Sequence, residues 1–170
     1  MNFKQFAKER YSCRKLSDKK IETQKIEEII ETAILSPTAV NYQPYKIFSI
    51  ESDRAKENLK KTTNYIFGAD TFLVVGYDPK LAWVREYDER NFGIVDASIV
   101  ATHIMFAIKE QGLETTWVGY FDAPLLKKLC PEMKDYELIA IFPIGYPKAD
   151  AKPSKKHDIR KTKAEILEIL

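Results

Sequence analysis

Residues 93–111 limit the folds open to this chain more than any other stretch does. Apolar side chains occupy nearly every side of a helix drawn through them, and only Asp96 and His103 clearly interrupt the pattern. A helix that is apolar all round is a buried one. We therefore predict a long central helix, ended by Gly112, that the rest of the chain surrounds. Asp96 is expected to bind nearby backbone or a dimer partner, and His103 to be a hydrogen-bonded core or interface residue.

The remaining segments alternate between strand-like and helix-like patterns. Strands are predicted at 45–50, 71–77, 113–121 and 137–144, and helices at 2–9, 21–35, 53–61 and 124–129. Asn2 is the expected cap of the first helix, and Ser17 or Asp18 of the second. Residues 81–91 fit either a surface helix or a partner-facing one.

The size of the chain predicts one domain that spans residues 1–170, because 170 residues suffice for one well-buried core. Its 27 basic residues are offset by 25 acidic ones, which leaves a net charge of +2. This balance argues against nucleic acid or a membrane surface as a partner, so any anion site must be local.

Cysteine usage favours a cytoplasmic protein. Cys13 and Cys130 lie far apart without the spacing of metal ligands, and the first ten residues lack the apolar run of a signal peptide. No apolar stretch reaches the length of a membrane span. With only His103 and His157 available, we expect no bound metal.

Residues 10–14 have the composition of a phosphate clamp. Arg10 and Arg14 flank Ser12, and the two guanidinium forks with a hydroxyl between them match the oxygens of a phosphate group. A solvated basic turn between two helices fits the same residues.

The loop at residues 36–45 is stiffened by two prolines and carries Thr38, Asn41 and Gln43, whose side chains donate and accept hydrogen bonds in fixed directions. It could hold a polar small molecule or simply connect a helix to a strand. Residues 64–68 are aromatic and end on Gly68, which fits a mobile flap or a turn packed on the core; the second alternative is favoured.

Four stretches together resemble the FMN-dependent nitroreductase family, and they do so over nearly the whole chain. They are residues 10–14, 36–45, 112–121, and 143–147 with the basic tail that follows. The resemblance implies an α+β fold, with a central, mostly antiparallel sheet, surrounding helices and a long buried central helix.

The same resemblance implies an oxidoreductase and a homodimer with FMN at the interface. NAD(P)H binds transiently and reduces the flavin, which then reduces a nitroaromatic, quinone or similar small-molecule acceptor in a ping-pong cycle. Because the flavin carries the chemistry, no dedicated catalytic side chain is expected. The alternative is a flavin-binding or small-ligand-binding protein or sensor of the same fold, without turnover.

Cofactor-binding residues follow from the resemblance by position in this sequence. Residues 10–14 would hold the FMN phosphate and the pyrimidine edge, the loop of the partner subunit would contact ribityl and ring, and backbone near Gly119 would face the flavin, where a side chain would obstruct the ring. The implied set is Arg10, Tyr11, Ser12, Arg14, Pro37, Thr38, Asn41, Gln43, Trp117, Val118, Gly119, and Lys155 or Lys156 at the phosphate.

Three positions depart from the family pattern: Cys13, Ala39 and Glu114. A carboxylate directed into the flavin pocket would oppose the reduced, anionic cofactor, so we expect Glu114 at the outer end of its strand or on the surface. Cys13 is expected to be a small buried hydrophobic residue.

Overall fold

The computed structural model describes residues 2–170. Its helices are α1 (Phe3–Glu9), α2 (Thr23–Ile34), α3 (Asp53–Lys60), α4 (Gly93–Glu110), α5 (Ala123–Leu129) and α6 (Lys163–Ile166). Its strands are β1 (Tyr45–Ile50), β2 (Thr71–Tyr77), β3 (Val84–Arg85), β4 (Arg90–Asn91), β5 (Glu114–Thr115) and β6 (Glu137–Gly145). Short 3₁₀ turns lie at Ala39–Asn41 and Pro131–Met133.

The main sheet has four strands in the order β1-β2-β6-β5, and every neighbouring pair is antiparallel. β2 is an interior strand, as its continuous apolar run predicts. Its register against β6 shifts between Val75 and Gly76. A Cβ at Gly76 would lie 2.9 Å from the Glu137 carbonyl oxygen, so the close approach of the two strands there requires glycine.

The sheet separates two apolar layers. Successive side chains of β2 point to opposite faces, so Leu73 and Val75 join one layer while Phe72 and Val74 join the other. The first layer is formed with α2 and α4, and the second includes Leu59 of α3 and Leu126 of α5. The sheet therefore has an apolar layer packed against each of its faces.

Several local expectations are confirmed. Asn2 caps α1 by accepting a hydrogen bond from the Gln5 amide at 2.9 Å, and Gly112 follows α4 with a φ of 70°, in the left-handed region that favours glycine. Cys13 is fully buried. Asp96 accepts a hydrogen bond from the Ala39 amide at 2.8 Å, so it binds nearby backbone.

Other local expectations are wrong. Helix α2 begins after Glu22 without a side-chain cap, so neither Ser17 nor Asp18 caps it. Residues 81–91 contain the two-residue strands β3 and β4 and no helix. Helix α4 is not buried on every side, because Ile94 is 50% exposed.

None of the helices formed by residues 2–170 combines the length and apolarity that crossing a lipid bilayer requires. Within the same range, no group of three His, Cys, Asp or Glu residues is arranged to hold a metal ion.

Candidate functional site

Residues 10–16 run as an extended segment fixed by backbone hydrogen bonds to three parts of the fold. The Arg10 amide donates to the Phe6 carbonyl at 3.1 Å and so ends α1. The Cys13 amide donates to Thr115 in β5 at 3.0 Å, and the Leu16 amide donates to Phe67 at 2.9 Å. Because Cys13 and Leu16 are both fully buried, the segment is anchored at its inward-facing positions, and Arg14 remains exposed.

Arg14 faces a cavity of about 180 Å³, which we name the Arg14 cavity. It brings together four of the residues predicted from the sequence: Arg14 from the first motif, and Trp117, Val118 and Gly119 from the third. Arg14 is more than 100 positions away from the other three in the chain. The lining residues are Arg14, Tyr65, Phe67, Thr116, Trp117, Val118, Gly119 and Tyr120.

The backbone of the third motif is held rigidly where it borders this cavity. Val118 is buried and forms an isolated antiparallel bridge with Ile141 of β6. The Trp117 ring packs edge-on against Phe142, with 5.4 Å between ring centroids. These two contacts tie Trp117 and Val118 to β6, so the position of the next residue, Gly119, is set by the sheet.

Nothing in the protein itself explains why Gly119 is a glycine. A Cβ built there would have Trp117 Nε1, at 4.0 Å, as its nearest neighbour, and the φ of Gly119 lies outside the left-handed region. Packing and backbone conformation would both accept alanine. The open space above Gly119 is therefore room that a ligand could occupy.

Arg10 lies half-buried beside another positive charge. Burial lowers the pKa of its guanidinium, the charge of Arg160 lowers that pKa further, and the carboxylate of Glu114 opposes both effects. Two neighbouring guanidinium groups repel each other unless an anion lies between them. The Arg10–Arg160 pair is therefore suited to a phosphate group.

Tyr11 connects this basic region to the C-terminal tail. Its ring meets that of His157 edge-on at 6.3 Å, and His157 Nε2 lies 3.1 Å from the Lys8 carbonyl oxygen. Burial and interaction with the Cys13 thiol raise the pKa of the Tyr11 phenol, so it stays neutral. The tail thus passes directly beside the first motif.

Lys155 and Lys156 are both exposed in the turn that also contains His157. Within residues 2–170 neither side chain forms a hydrogen bond or a salt bridge, and their contact with a phosphate remains a prediction. Arg160, which sequence reasoning missed, is the tail residue whose charge reaches Arg10. Nothing in the sequence distinguishes it from the other basic residues of the tail.

Glu114 was expected at the end of its strand or at the surface; it is the first residue of β5, and the surface alternative is wrong. Its side chain is buried in β5 and pairs with Lys109 from the end of α4. A buried carboxylate needs such a partner, because an unpaired charge in this position would be strongly destabilising. Lys109 thereby offsets the negative charge that Glu114 brings near Arg10 and Tyr11.

The loop that carries Pro37, Thr38, Asn41 and Gln43 holds a strained conformation. Asn41 and Gln43 have φ values of 56° and 51°, which non-glycine residues rarely adopt. Thr38 Oγ1 accepts from the Gln43 amide at 3.1 Å, and the Gln43 side chain donates to the Asn41 carbonyl at 3.3 Å.

Asp96 of α4 fixes this loop through its bond to Ala39, but the loop does not line the Arg14 cavity. The structure of one subunit therefore brings together the first and third motifs and keeps the loop apart from them. Ser12 lies half-buried between Tyr11 and Cys13, and its carbonyl accepts from Arg14 at 3.4 Å.

Three aromatic residues of the Arg14 cavity were not assigned to the site from the sequence. Tyr65 packs against Phe67 and Tyr120, with 5.9 Å between ring centroids in each pair. The signal in the sequence was the aromatic segment 64–68. In the structure its last residue, Gly68, has a φ of 88°, and a Cβ at Gly68 would lie 2.6 Å from the Leu16 carbonyl oxygen. Residues 64–68 are thus a turn fixed against the core.

Comparisons of sequence and structure relate this chain to known proteins. The sequence profile of the nitroreductase family matches residues 7–67 and 55–146. An Archaeoglobus fulgidus protein, provisionally named NADH dehydrogenase/NAD(P)H nitroreductase, is 30% identical over 149 residues, which cover 82% of this chain and 82% of that protein.

Solved structures share the whole fold. A nitroreductase family protein from Clostridium difficile 630 is 32% identical and superposes with a TM-score of 0.90, covering 99% of this chain and 98% of that one. A provisionally named nitroreductase from Exiguobacterium sibiricum, solved in complex with FMN, is 18% identical with a TM-score of 0.85, covering 100% and 98%. The α+β fold with its antiparallel sheet is confirmed, and the chain belongs to the nitroreductase family.

Proposed function

We propose that the protein is an FMN-dependent oxidoreductase that takes electrons from NAD(P)H and passes them to a nitroaromatic, quinone or similar acceptor. Its 170 residues act as one domain. The free, buried cysteines Cys13 and Cys130 fit the reducing cytoplasm that the sequence predicts. A non-catalytic flavin-binding protein of the same fold is the alternative that the experiment below separates.

One observation carries the proposal: the Arg14 cavity joins a guanidinium to a backbone wall that has no side chain at Gly119. A flat ring can approach such a wall closely, and a guanidinium beside it can donate hydrogen bonds to ring oxygen and nitrogen atoms. The names of the Archaeoglobus fulgidus and Exiguobacterium sibiricum proteins support NAD(P)H and FMN as the molecules involved.

The residues present also fit the phosphate end of FMN. Arg10 and Arg160 supply two guanidinium groups whose charges act on each other, and the Ser12 hydroxyl lies in the same segment as Arg10. Arg14 would hold the pyrimidine edge of the ring, where a positive charge favours the reduced cofactor. Lys155 or Lys156 would add to the phosphate site from the tail.

The site is completed by a second copy of the chain. About 180 Å³ is small beside the roughly 300–1,000 Å³ that small-molecule sites occupy, so the Arg14 cavity is one part of a larger site. The loop with Thr38, Asn41 and Gln43 would supply the other part from the partner subunit. Its exposed neighbours Leu35 and Val40 are apolar, as an interface requires.

The side chains of this site bind, orient and exclude water. FMN held by these residues would supply two-electron chemistry between NAD(P)H and the acceptor; over the full cycle NAD(P)H gives up a hydride, solvent gives one proton, and the acceptor gains two electrons and two protons. Arg14 fixes the ring edge, Trp117 is held in place by Phe142, and Gly119 leaves the ring face open. Positioning and electrostatics are therefore the contribution of the protein.

The first test is the visible absorption spectrum of the purified protein, recorded before and after anaerobic addition of NADH and then NADPH. We expect a yellow protein that bleaches and that regains its colour when a nitroaromatic or quinone is added. A yellow protein that neither donor bleaches would favour the non-catalytic alternative. A colourless protein that takes up no added FMN would overturn the proposal.

Arg14→Ala refines this test. Losing a charge-assisted hydrogen bond worth about 1.5–3 kcal/mol should raise the Kd for FMN by roughly 10- to 100-fold. Arg54→Ala is the matched control, because Arg54 is an exposed arginine of α3 that does not line the cavity. Equal FMN affinities in both variants would remove Arg14 from the site.

A further inference from the structure

A second cavity, of about 470 Å³, opens beside the Arg14 cavity. The two share Tyr65, Gly119 and Tyr120 as a common wall. We name it the Lys61 cavity, and its lining residues are Lys61, Thr62, Thr63, Asn64, Tyr65, Gly119, Tyr120, Phe121 and Asp122. A molecule that reacts above Gly119 can therefore extend into a second compartment without leaving the protein surface.

The walls of the Lys61 cavity are tied together by hydrogen bonds. Thr63 Oγ1 donates to the Tyr120 carbonyl at 2.9 Å and accepts from the Tyr65 amide at 3.2 Å. The Asp122 amide donates to the Thr62 carbonyl at 2.9 Å. The distance across the compartment is therefore set by the fold before any ligand arrives.

Lys61 supplies the positive charge in this compartment. The neighbouring Lys56 and Lys60 both pair with Asp70, whereas Lys61 forms no salt bridge with any residue of the described range 2–170. Asp122 also lines the cavity, and its carboxylate is held at the start of α5, where it accepts from the Leu125 amide at 2.9 Å. A ligand in the cavity therefore meets an ammonium group without a salt-bridge partner and a carboxylate fixed as a helix cap.

The shared wall presents aromatic surface. Tyr120 is 81% exposed and Tyr65 is 45% exposed, and their rings meet edge-on at an angle of 77°. Exposed aromatic residues at a cavity favour a ligand with its own flat ring. The two tyrosines and Lys61 line the same compartment, and the tyrosines also line the Arg14 cavity.

We propose that the Lys61 cavity selects planar aromatic ligands that carry an anionic group, with the ring against Tyr65 and Tyr120 and the anion at Lys61. This inference rests on the proposed function, because the ring must lie beside the flavin to react. Two kinds of molecule share this chemistry: an acceptor such as an aromatic carboxylate, and the NAD(P)H donor with its phosphates.

The test compares 4-nitrobenzoate with neutral 4-nitrobenzamide as acceptors for the holoenzyme, with NADH as donor. Lys61→Met should raise the KM for 4-nitrobenzoate by roughly 2- to 5-fold, the loss expected for one exposed ion pair, and leave the KM for 4-nitrobenzamide unchanged. Lys60→Met is the matched control and should leave both KM values unchanged, because Lys60 Nζ lies 3.6 Å from Asp70 Oδ1.

A binding measurement supplies a readout independent of turnover. Titrating 4-nitrobenzoate into the oxidised holoenzyme without donor, followed by calorimetry, should give a Kd that increases with added NaCl in the wild type, because salt screens the ion pair. In Lys61→Met the Kd should be higher and respond less to salt.

The outcomes separate the two sources of the anion. A raised KM for 4-nitrobenzoate alone identifies the acceptor, and a raised KM for NADH alone identifies the donor; either supports the proposal. The proposal is overturned if Lys61→Met changes the KM for both acceptors equally, or if it changes the KM for none of 4-nitrobenzoate, 4-nitrobenzamide and NADH. Failure of the proposed function looks different, because the wild type would then bind no FMN or reduce neither acceptor.

Discussion

Gly119 shows how much one residue can contribute by lacking a side chain. It borders both cavities, and no atom beyond its two chain neighbours would lie closer than 4.0 Å to a Cβ at this position. Gly76 behaves differently. A Cβ there would lie 2.9 Å from the Glu137 carbonyl oxygen, so its lack of a side chain serves the packing of β2 on β6.

Gly119→Ala should leave the apoprotein within about 0.5 kcal/mol of the wild-type free energy of unfolding, because the added methyl group meets open space. The same methyl group should raise the Kd for FMN by about 10-fold or more, because it lies where the ring must approach. Urea unfolding of the apoprotein and fluorescence titration of FMN measure the two effects.

Gly76→Ala is the contrasting variant and should show the reverse pattern. Its Cβ would press on β6, so the free energy of unfolding should fall by about 1–3 kcal/mol, while FMN affinity in the folded fraction stays unchanged. If Gly119→Ala bound FMN as tightly as the wild type, the ring would have to lie elsewhere.

At the level of single residues, the sequence predicted the parts of the site that belong to compact motifs. Arg14 and Gly119 were both expected, and the structure places them on one cavity. Arg160 and Tyr65 were missed because their role depends on contacts between distant parts of the chain. A basic tail and an aromatic turn have the same sequence pattern whether or not their side chains contact a binding site.

Among the elements, those marked by a continuous apolar run or a capping residue were predicted with nearly correct bounds. The buried run at β2 was expected at Thr71–Tyr77, and α5 was expected to begin near its Asp122 cap. Residues 113–121 have the composition of a full strand, yet only Glu114–Thr115 pair regularly with β6, and Val118 adds one isolated bridge to Ile141. The other residues between Thr116 and Tyr120 border the Arg14 cavity, a change that β-propensity cannot reveal.

Helix α3 is joined to the start of β2 by Asp70, which pairs with Lys56 and Lys60. The hydrogen bond from Lys56 holds the pKa of Asp70 below its ordinary value of 3.8, and Lys60 adds to the effect. A carboxyl group whose pKa is lowered by folding stabilises the protein above its unfolded pKa, and this contribution disappears as the pH falls through the folded pKa.

Asp70→Asn should therefore lower the free energy of unfolding at pH 7 by up to about 1 kcal/mol, the range of a partly exposed ion pair. The difference from wild type should be constant above about pH 5 and should vanish as the pH falls below the ordinary pKa of aspartate. Urea unfolding of both proteins measures this difference at pH values from about 2.5 to about 7, a range chosen to cover the titration of the Asp70 carboxyl group.

Asp135→Asn is the matched control, since Asp135 is exposed and forms no salt bridge within residues 2–170. This substitution should leave the free energy of unfolding nearly unchanged over the same pH range. A pH-independent difference for Asp70→Asn would show that the Asp70 charge does not stabilise the join between α3 and β2.

For the whole molecule, the long central helix is more apolar than its own sheet can cover. Residues 93–111 were expected to be a buried helix, and within one subunit one side of α4 forms an exposed apolar groove of about 430 Å³. The groove is lined by Ile94, Val95, Ser98, Ile99, Thr102 and His103. A helix apolar all round can therefore be buried partly by its own fold and partly by a second copy of the chain.

Ile94→Glu should separate the subunits. If the α4 groove is the dimer interface, an unpaired carboxylate buried there costs about 3–5 kcal/mol, so dimerisation should weaken by roughly 100-fold or more. Sedimentation equilibrium measures the change, and FMN content should fall with it because the loop of the partner is lost.

Leu81→Glu serves as the control, because Leu81 is also an exposed apolar residue but lies outside the groove. It should remain dimeric and retain FMN. An Ile94→Glu protein that stays dimeric would place the interface on another surface.

The small volume of the Arg14 cavity has a thermodynamic consequence. When each subunit supplies only part of a cofactor site, cofactor binding and subunit association are linked equilibria, and every ligand that binds the dimer alone also stabilises it. Dilution should then release cofactor along with subunits, so that specific activity falls at low enzyme concentration. Added FMN should restore it, and the amount of cofactor in the solution would set how much of the protein is assembled.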